Sequence, residues 1–232
     1  MDNNLDFQKF FTSHAGRSSS LLHGYANGIN SLYQSPTIVE ERELHAVTMD
    51  VFSRLMMERI IMLGTAINED VSSIINSQLL YLESVDPDTP IKIYINSPGG
   101  EVYSGESIVD VMNIVTPQIH TVVTGMAASM ASVIASNGAK GERMALKHSV
   151  LMIHQPLGGA RGQASDIEIM NEEIQRIKKE LAESLAETTG QKLSKVLKDM
   201  DRDKWMTAQE SVDYGLIDSV KGISWTEKNT KK

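Results

Sequence analysis

The sequence predicts an α/β protein in which short strands alternate with helices on a largely parallel sheet. The β-branched runs 91–95 and 119–124 predict two strands, each followed by glycine or other small residues and then by apolar residues at helical spacing. The apolar runs 142–146 and 150–154 predict two more strands. Strands that alternate with helices across Gly-rich turns are typical of βα units on a parallel sheet.

Two helices are predicted ahead of the first strand. The first extends from a cap at Thr48 or Asp50 to Gly64, and the second begins after the N-cap Asn68, where acidic residues favour the positive end of the helix dipole. The apolar face of the first helix consists of Val51, Leu55, Ile61 and Met62, and that of the second consists of Val71, Ile74, Ile75, Leu79 and Leu82. Residues 38–47 mix apolar and charged side chains without a stable period, so the pattern favours neither a helix nor a strand.

Further helices are predicted after the strands. One follows the Gly-rich turn after the first strand, and another covers 126–136 because Gly125 is expected to break the preceding strand. A long charged helix over 164–189 has a narrow apolar seam, which suits packing against another subunit or an arm that stands off the core. The seam consists of Ile167, Met170, Ile174, Ile177 and Leu181. The last helix begins with a capping box at Thr207 and ends at Gly215.

The N-terminal residues 1–35 differ in composition from the rest of the chain. A cluster of Phe7, Phe10 and Phe11 is followed by a segment rich in Ser, Gly and Asn. Such a composition favours a flexible arm or a removable propeptide. Docking of the Phe cluster on a partner surface is the alternative.

Composition and charge exclude several classes of protein. The 232 residues fit one domain, predicted over 36–222, with a polar C-terminal tail over 223–232. The net charge of −8 provides no attraction for nucleic acid or an anionic membrane. The absence of Cys excludes disulfides, thiolate catalysis and Cys-ligated zinc. The sequence contains neither a secretory signal nor a run of roughly 18 apolar residues, so we expect a soluble, cytoplasmic protein.

Ser129 lies in the segment 125–132, Gly-Met-Ala-Ala-Ser-Met-Ala-Ser, at the predicted start of a small-residue helix. At a helix start, free backbone N–H groups and the helix dipole can stabilise a developing oxyanion. The neighbouring alanines leave room for a substrate backbone. The segment lacks the G-x-S-x-G pattern, so by itself it fits a serine packed in a helix as well as a nucleophile.

His154 follows the apolar run 150–153, at the C-terminal edge of a predicted strand, where open α/β sheets place their ligand sites. A histidine there fits a general base, and it equally fits a structural residue with satisfied hydrogen bonds. Metal ligation is disfavoured because His148 lies on the other side of the strand and no acidic cluster completes a ligand set. We therefore predict no metal site.

Two further segments contain candidate residues. Residues 96–100, Asn-Ser-Pro-Gly-Gly, form a turn whose glycines expose backbone N–H groups. An oxyanion hole or a contact to a substrate strand fits this turn better than phosphate binding, because the Lys of a P-loop is missing. Asp203 lies in the charge-alternating patch 201–204, which by itself is typical of solvated surface. Spacing along the chain does not establish that these sites converge.

Taken together, these segments resemble the proteolytic subunits of the Clp protease family over residues 37–220. The segments that carry the resemblance are YINSPGG (94–100), GMAASM (125–130), MIHQPLGG (152–159), GQA (162–164), DIEI (166–169), DRDK (201–204) and YGLID (214–218). The first three, in this order, are highly specific.

The resemblance implies a serine endopeptidase. In the family pattern Ser129 is the nucleophile, His154 is the general base, and Asp203 orients the imidazole, with Asp201 as the nearby alternative. The resemblance also implies an oxyanion hole formed by the backbone N–H groups of Gly100 and Met130.

The resemblance further implies a crotonase-like α/β fold with a protruding handle, a helix and a strand, over about residues 155–190. Two seven-membered rings would stack around an inner chamber, with Asp166 and Arg202 as a charged contact between rings. Unfolded polypeptides, including misfolded and regulatory proteins, would be delivered by an AAA+ unfoldase ATPase of the ClpX or ClpA/ClpC type. The subunit itself would need no cofactor, since the partner uses the ATP.

Two departures from the family pattern have consequences. Residues 41–47 are less polar than the usual axial loop, which leaves the choice of ATPase open. Glu101 places an acid beside the implied oxyanion hole. We expect its carboxylate to face outward or to influence substrate preference.

Two other classes of function fit the fold. A crotonase-type enzyme acting on acyl-CoA thioesters would share the oxyanion hole, but such enzymes use Glu or Asp for acid–base chemistry and do not need a Ser–His pair. A catalytically silent ring subunit would lack a triad residue, whereas all three positions are filled here.

Overall fold

The structure is a computed structural model that describes residues 37–42, 45–159 and 161–222. The arm or propeptide predicted over 1–35 and the tail predicted over 223–232 lie outside the described residues.

The chain divides into two units, residues 1–54 and residues 55–232. The described part of the first unit is an antiparallel pair of strands, in which Thr37 lies opposite Asp50 and Arg42 opposite His45. The strands are β1 (Thr37–Arg42) and β2 (His45–Asp50). Residues 38–47, for which the sequence pattern favours neither a helix nor a strand, thus lie largely in these two strands.

The remaining elements belong to an α/β arrangement, as predicted. The other strands are β3 (Ile60–Leu63), β4 (Ile91–Ser97), β5 (Ile119–Ala128), β6 (Arg143–Leu146), β7 (Val150–Ile153), β8 (Lys204–Thr207) and β9 (Ser219–Lys221). The helices of the described chain are α1 (Val51–Met57), α2 (Glu69–Val85), α3 (Val102–Ile114), α4 (Met130–Ser136), α5 (Ala164–Thr189), α6 (Leu193–Asp199) and α7 (Ala208–Tyr214).

The sheet branches at β5. Five strands pair in the order β3-β4-β5-β6-β9, all parallel, and β7 pairs separately with β5 and with β8. Residues 121–123 of β5 pair with β6, whereas 126–128 pair in parallel with β7. β8 is antiparallel to β7, so its first residue lies at the same edge as the last residue of β7. The predicted, largely parallel sheet is confirmed.

The interior of the larger unit is aliphatic. The strands β4 and β5 lie in the middle of the sheet, and their buried side chains are mainly those of Ile, Val and Ala. Successive helices pack against one another in the pairs α2–α3, α3–α4, α4–α5 and α5–α6. The sheet residues that are almost completely buried include Ile91, Ile93, Ile95, Val123 and Ala127. In the described part of the chain, no helix combines the length and the apolar character needed to cross a bilayer.

The predicted helix from Asp50 to Gly64 is wrong in its second half. Helix α1 ends at Met57, and β3 pairs in parallel with β4. Arg59 adopts a φ of 60°, which ends the helix. The Arg59 guanidinium stabilises this turn by donating to the carbonyls of Leu82 (3.0 Å), Asp86 (2.9 Å) and Pro90 (3.3 Å). Of the two predicted caps, Thr48 and Asp50, it is Asp50 that caps α1, because its carboxylate accepts from the backbone N–H groups of residues 52 and 53.

The predicted break at Gly125 is also wrong. Strand β5 continues to Ala128, and the helix begins only at Met130. At Gly125 a Cβ would lie 2.6 Å from the side-chain oxygen of Asn96, and that oxygen accepts from the N–H of Met126. Glycine is therefore needed for a close side-chain approach, and the pairing with β7 keeps the backbone extended.

The other helix predictions agree with the structure in most respects. Asn68 caps α2 by accepting from the N–H of Val71 (2.9 Å), although Ile74 on the predicted apolar stripe is 59% exposed. Thr207 and Glu210 form the predicted capping box of α7. Helix α5 has the predicted bounds. Its apolar seam is buried at Ile177 and Leu181 and largely exposed at Ile167 and Met170.

Candidate active site

The strand register brings Ser129, His154 and Asp203 to one edge of the sheet. Ser129 follows β5 directly, and its N–H donates to the carbonyl of Met152 in β7 (2.8 Å). His154 is the residue after β7, and Asp203 is the residue before β8. Because Ile153 lies opposite Lys204, one further step along these antiparallel strands places His154 opposite Asp203. Residues 129, 154 and 203 thus become neighbours.

Ser129 lies on a sharp turn between β5 and α4. Its φ of 55° and ψ of −127° are outside the regions that non-glycine residues usually adopt. Strain of this kind costs on the order of 1–3 kcal/mol and concentrates at functional sites. The segment lacks the G-x-S-x-G pattern, yet its strand–turn–helix geometry corresponds to that of a nucleophile elbow.

A chain of hydrogen bonds joins the three side chains. The Nε2 atom of His154 lies 2.8 Å from the Oγ atom of Ser129, and its Nδ1 atom lies 3.1 Å from Oδ1 of Asp203. Since a carboxylate can only accept, Nδ1 must carry the hydrogen. Nε2 is then left as an acceptor for the Ser129 hydroxyl proton, which is the arrangement that general-base activation of a nucleophile requires.

The surroundings of His154 favour the neutral imidazole. Its side chain is only 9% exposed, and this burial lowers its pKa below the usual value, while the nearby Asp203 carboxylate acts in the opposite direction. A histidine with a lowered pKa is unprotonated at neutral pH and so able to accept a proton.

Activity is therefore expected to fall as the pH is lowered through the pKa of His154. Because burial lowers this pKa, the midpoint of the acidic limb should lie below the ordinary value of about 6.5. The measurement is kcat/KM for a small fluorogenic peptide from about pH 4.5 to about pH 8, an interval that includes the ordinary pKa of histidine. A profile that stays flat down to the lowest pH at which the protein remains folded would contradict the role of His154 as base.

Two consecutive glycines after β4 contact the start of α4 and the loop before α2. Gly99 has a φ of +88°, and a Cβ there would lie 2.5 Å from the carbonyl oxygen of Ala128 and 2.7 Å from Cβ of Ser129. Gly100 forms a β-bridge with Ile67, and its φ of +156° would direct a Cβ into the Ile67 carbonyl. Only glycine fits both positions, so the turn can approach the serine closely.

The two backbone donors implied for an oxyanion hole are available. Met130 is the first residue of α4, so its N–H has no intrahelical acceptor. The β-bridge between Ile67 and Gly100 does not use the N–H of Gly100. Its two hydrogen bonds run from the Ile67 N–H to the Gly99 carbonyl and from the Glu101 N–H to the Ile67 carbonyl. Neither the Gly100 N–H nor the Met130 N–H has an acceptor among the described residues.

The carboxylate of Glu101 forms a hydrogen bond at the start of α3. Its Oε2 atom accepts from the hydroxyl of Ser104 at 2.9 Å. The carboxylate is thus tied to the first turn of the helix that follows.

The remaining predicted residues lie on the surface of the single chain. Asp201 is 61% exposed, and its carboxylate lies 3.9 Å from the guanidinium of Arg202, which is 87% exposed. His154 is paired with Asp203 and not with Asp201. Asp166 lies exposed in the first turn of α5, and within the described residues no contact joins it to Arg202.

A small pocket lined mainly by apolar side chains lies beside Ser129 and His154. The residues that line it, besides these two, are Val102, Met130, Ser132, Val133, Ile153, Pro156, Leu181, Leu185 and Met200. Most are aliphatic, and they come from five different segments of the chain. The surface next to the nucleophile is therefore mainly apolar.

Sequence reasoning missed several residues of this site. The pocket-lining residues Leu181, Leu185 and Met200 are spaced as ordinary core residues, so no local signal distinguishes them. The sequence marks Gly99 only as part of a Gly-Gly pair. It marks Gln155, whose side chain contacts the segment before Asp203, only as a member of a family motif. No group of three or more metal-ligating side chains occurs in the described ranges.

The fold and the Ser–His–Asp chain define an α/β serine hydrolase. A family model described as Clp protease matches residues 42–223. The chain is 52% identical over 226 residues to the ATP-dependent Clp protease proteolytic subunit of Porphyromonas gingivalis, covering 97% of this chain and 99% of that protein. It is 54% identical over 215 residues to the protein of the same name from Bacteroides fragilis (strain YCH46), covering 93% of this chain and 97% of that protein.

The chain belongs to the Clp protease family, and it is a serine peptidase. The family assignment agrees with the predicted crotonase-like α/β fold.

Proposed function

We propose that the chain is a serine endopeptidase that hydrolyses peptide bonds of unfolded proteins, with Ser129 as nucleophile, His154 as base and Asp203 as orienting carboxylate. The observation that carries this proposal is the continuous hydrogen-bonded chain from Ser129 Oγ through both ring nitrogens of His154 to Asp203. The 2.8 Å between Oγ and Nε2 is within the range for proton transfer from a nucleophile to its base, and the 3.1 Å between Nδ1 and Oδ1 is within hydrogen-bond range.

In the acylation step, the Oγ atom of Ser129 attacks the carbonyl carbon of the scissile peptide bond while its proton moves to Nε2 of His154. Asp203 stabilises the imidazolium that forms, without taking the proton itself. The imidazolium then donates that proton to the leaving amine, and the C–N bond breaks. In the second step His154 accepts a proton from a water molecule while that water attacks the acyl-enzyme carbonyl carbon. The bond from this carbon to Ser129 Oγ then breaks, His154 returns the proton to Oγ, and the carboxylic acid product leaves.

The negative charge that develops on the carbonyl oxygen needs donors that are already in position. We propose that the N–H groups of Gly100 and Met130 supply them, supported by the close approach of the Gly99–Gly100 turn to Ser129. Loss of one such donor typically reduces the rate by about 10²–10³-fold.

The apolar pocket supports a preference for substrates with an apolar side chain beside the scissile bond. Val102, Leu181 and Leu185 supply aliphatic surface, and the pocket opens directly on the nucleophile. Apolar side chains are exposed in unfolded polypeptides and buried in folded ones, which fits the proposed substrate class.

We further propose that the protein acts in the cytoplasm as two stacked seven-membered rings fed by an AAA+ unfoldase ATPase, and that it degrades misfolded and regulatory proteins. The relatives are named ATP-dependent proteolytic subunits, which supports an ATPase partner. The exposed apolar residues Ile167, Ile169 and Met170 of α5 support a contact between subunits, to which Asp166 and Arg202 would contribute. The subunit would itself need no cofactor.

The test combines stoichiometry with two substrates. Native mass spectrometry is expected to give a fourteen-subunit assembly that hydrolyses a small fluorogenic peptide without ATP. A stably folded fluorescent protein should be degraded only when a Clp ATPase and ATP are added. An assembled protein that lacks peptidase activity would refute the catalytic proposal, and ATP-independent loss of the folded substrate would refute the role of the unfoldase.

A further inference from the structure

The bond between His154 and Asp203 depends on how two chain segments are held together. His154 lies just beyond the last residue of β7, and Asp203 lies in a turn that connects α6 to β8. The ladder between β7 and β8 ends at Ile153 and Lys204, so it does not include either catalytic residue. Another contact must hold the turn in place.

Gln155 makes that contact with both its backbone and its side chain. Its backbone N–H donates to the carbonyl of Met200 at 2.6 Å, and its side-chain Nε2 donates to the carbonyl of Asp201 at 2.9 Å. Its side-chain Oε1 accepts from the ammonium group of Lys178 in α5 at 2.7 Å.

Lys178 determines the direction of the Gln155 amide. An ammonium group can only donate, so the amide oxygen must face Lys178. The amide nitrogen then faces the carbonyl of Asp201, which can only accept. The orientation of the side chain is therefore set by chemistry at both ends.

We propose that Gln155 is a positioning residue, which holds the turn bearing Asp203 against the strand end bearing His154. The turn is fastened on one side by the pairing of Lys204 with Ile153 and on the other by the amide of Gln155 on Asp201. Asp203 lies between these two points. Gln155 adjoins His154 in the chain, so one residue links the position of the base to that of its carboxylate.

A second cluster supports the far side of the same turn. Asp199 accepts from Lys204 (3.1 Å), from Lys195 (2.8 Å) and from the hydroxyl of Tyr214 (3.0 Å). This cluster anchors the start of β8 to α6 and α7. The bonds between the turn and the strand end at His154 are those that Gln155 makes to the carbonyls of Met200 and Asp201.

The test replaces Gln155 by methionine, which keeps the volume of the side chain and removes its donor. Loss of the donor should let the turn move, and misplacement of a catalytic group by about 1 Å can cost on the order of 10²-fold. We expect kcat for a small fluorogenic peptide to fall about 10-fold to 10²-fold with little change in KM. The acidic limb should also shift to lower pH, because Asp203 raises the pKa of His154 and this effect weakens with distance.

The matched control is Gln191→Met. The Gln191 side chain also donates to a backbone carbonyl, that of Tyr214 at 2.9 Å, but it lies outside the catalytic site. Gln191→Met abolishes the same kind of side-chain bond to a carbonyl. Because this bond does not hold the segment that bears Asp203 against His154, kcat and the pH profile should stay unchanged. A comparable loss of activity in both variants would mean that Gln155 has only a general structural role, and it would overturn the proposal.

A double-mutant cycle with Asp203→Asn tests whether Gln155 acts through Asp203. In the Asp203→Asn background, Gln155→Met should reduce kcat little further, whereas fully additive losses would refute the proposal. Assembly of every variant is checked by native mass spectrometry. Gln155→Glu, which keeps the contact to Lys178 and loses the donor, replaces Gln155→Met if the latter does not assemble. The proposal rests on the proposed triad, which peptide hydrolysis by the unmodified protein and its loss in Ser129→Ala test separately.

Discussion

Replacing Ser129 by alanine is expected to reduce kcat for a small fluorogenic peptide by about 10⁶-fold, the usual cost of losing a serine nucleophile. The substitution removes the Oγ atom 2.8 Å from His154 and leaves no group that could form the acyl-enzyme. Alanine should not weaken folding, because it adds no atoms at a strained turn. The measurement is a single-turnover rate together with the size of the assembly by native mass spectrometry.

The control for this variant is Ser136→Ala at the last residue of α4, the helix that follows Ser129. Ser136 is buried, its hydroxyl donates to the carbonyl of Val133 at 2.9 Å, and Ser136 itself does not line the pocket. It should retain activity within a few-fold and still react with a serine-directed fluorophosphonate, which should no longer label Ser129→Ala. Peptide hydrolysis at the normal rate in Ser129→Ala would exclude Ser129 as the nucleophile.

Asp203→Asn is expected to lower kcat by about 10⁴-fold, as in other serine proteases whose triad carboxylate becomes an amide. The asparagine can donate to Nδ1 of His154, which would move the ring hydrogen to Nε2. The imidazole would then be unable to accept the Ser129 proton. Loss of the carboxylate also removes the interaction that raises the pKa of His154, so the acidic limb of the remaining activity should move to lower pH.

Asp201→Asn provides a matched comparison two residues earlier in the same turn. Asp201 is 61% exposed, and its carboxylate faces Arg202, not His154. We expect nearly full activity in this variant, measured under the same conditions. Equal losses in the two variants would show that the charge of the turn matters rather than the contact of Asp203 with the imidazole.

Local signals predicted most elements because they act within a few residues. The cap at Asn68, the capping box at Thr207 and the apolar spacing of α5 all depend on contacts along one helix, and the structure agrees with each. The two errors occurred where distant groups decide the conformation. The predicted helix through 60–63 gave way to pairing with β4, and the predicted break at Gly125 gave way to pairing with β7.

The candidate site shows the same division. The predicted helix start at Ser129 and the predicted strand end at His154 made these two residues reasonable candidates. Asp203 had no local signal, and only the resemblance to a family selected it over Asp201. The structure supplies a physical basis for that choice, because the register of β7 and β8 places residue 203 opposite residue 154.

The sequence by itself determined the α/β class, the strand-end position of the histidine, and the long helix with its narrow seam. These follow from periodicity, caps and turn residues, whose energies act locally. The tertiary structure alone decided the strained backbone of Ser129, its contact with His154, the pairing of His154 with Asp203 and the bond from Gln155 to the carbonyl of Asp201. Such contacts join residues that are 25 to 49 positions apart, and the strand register that aligns them is set by packing of the whole sheet.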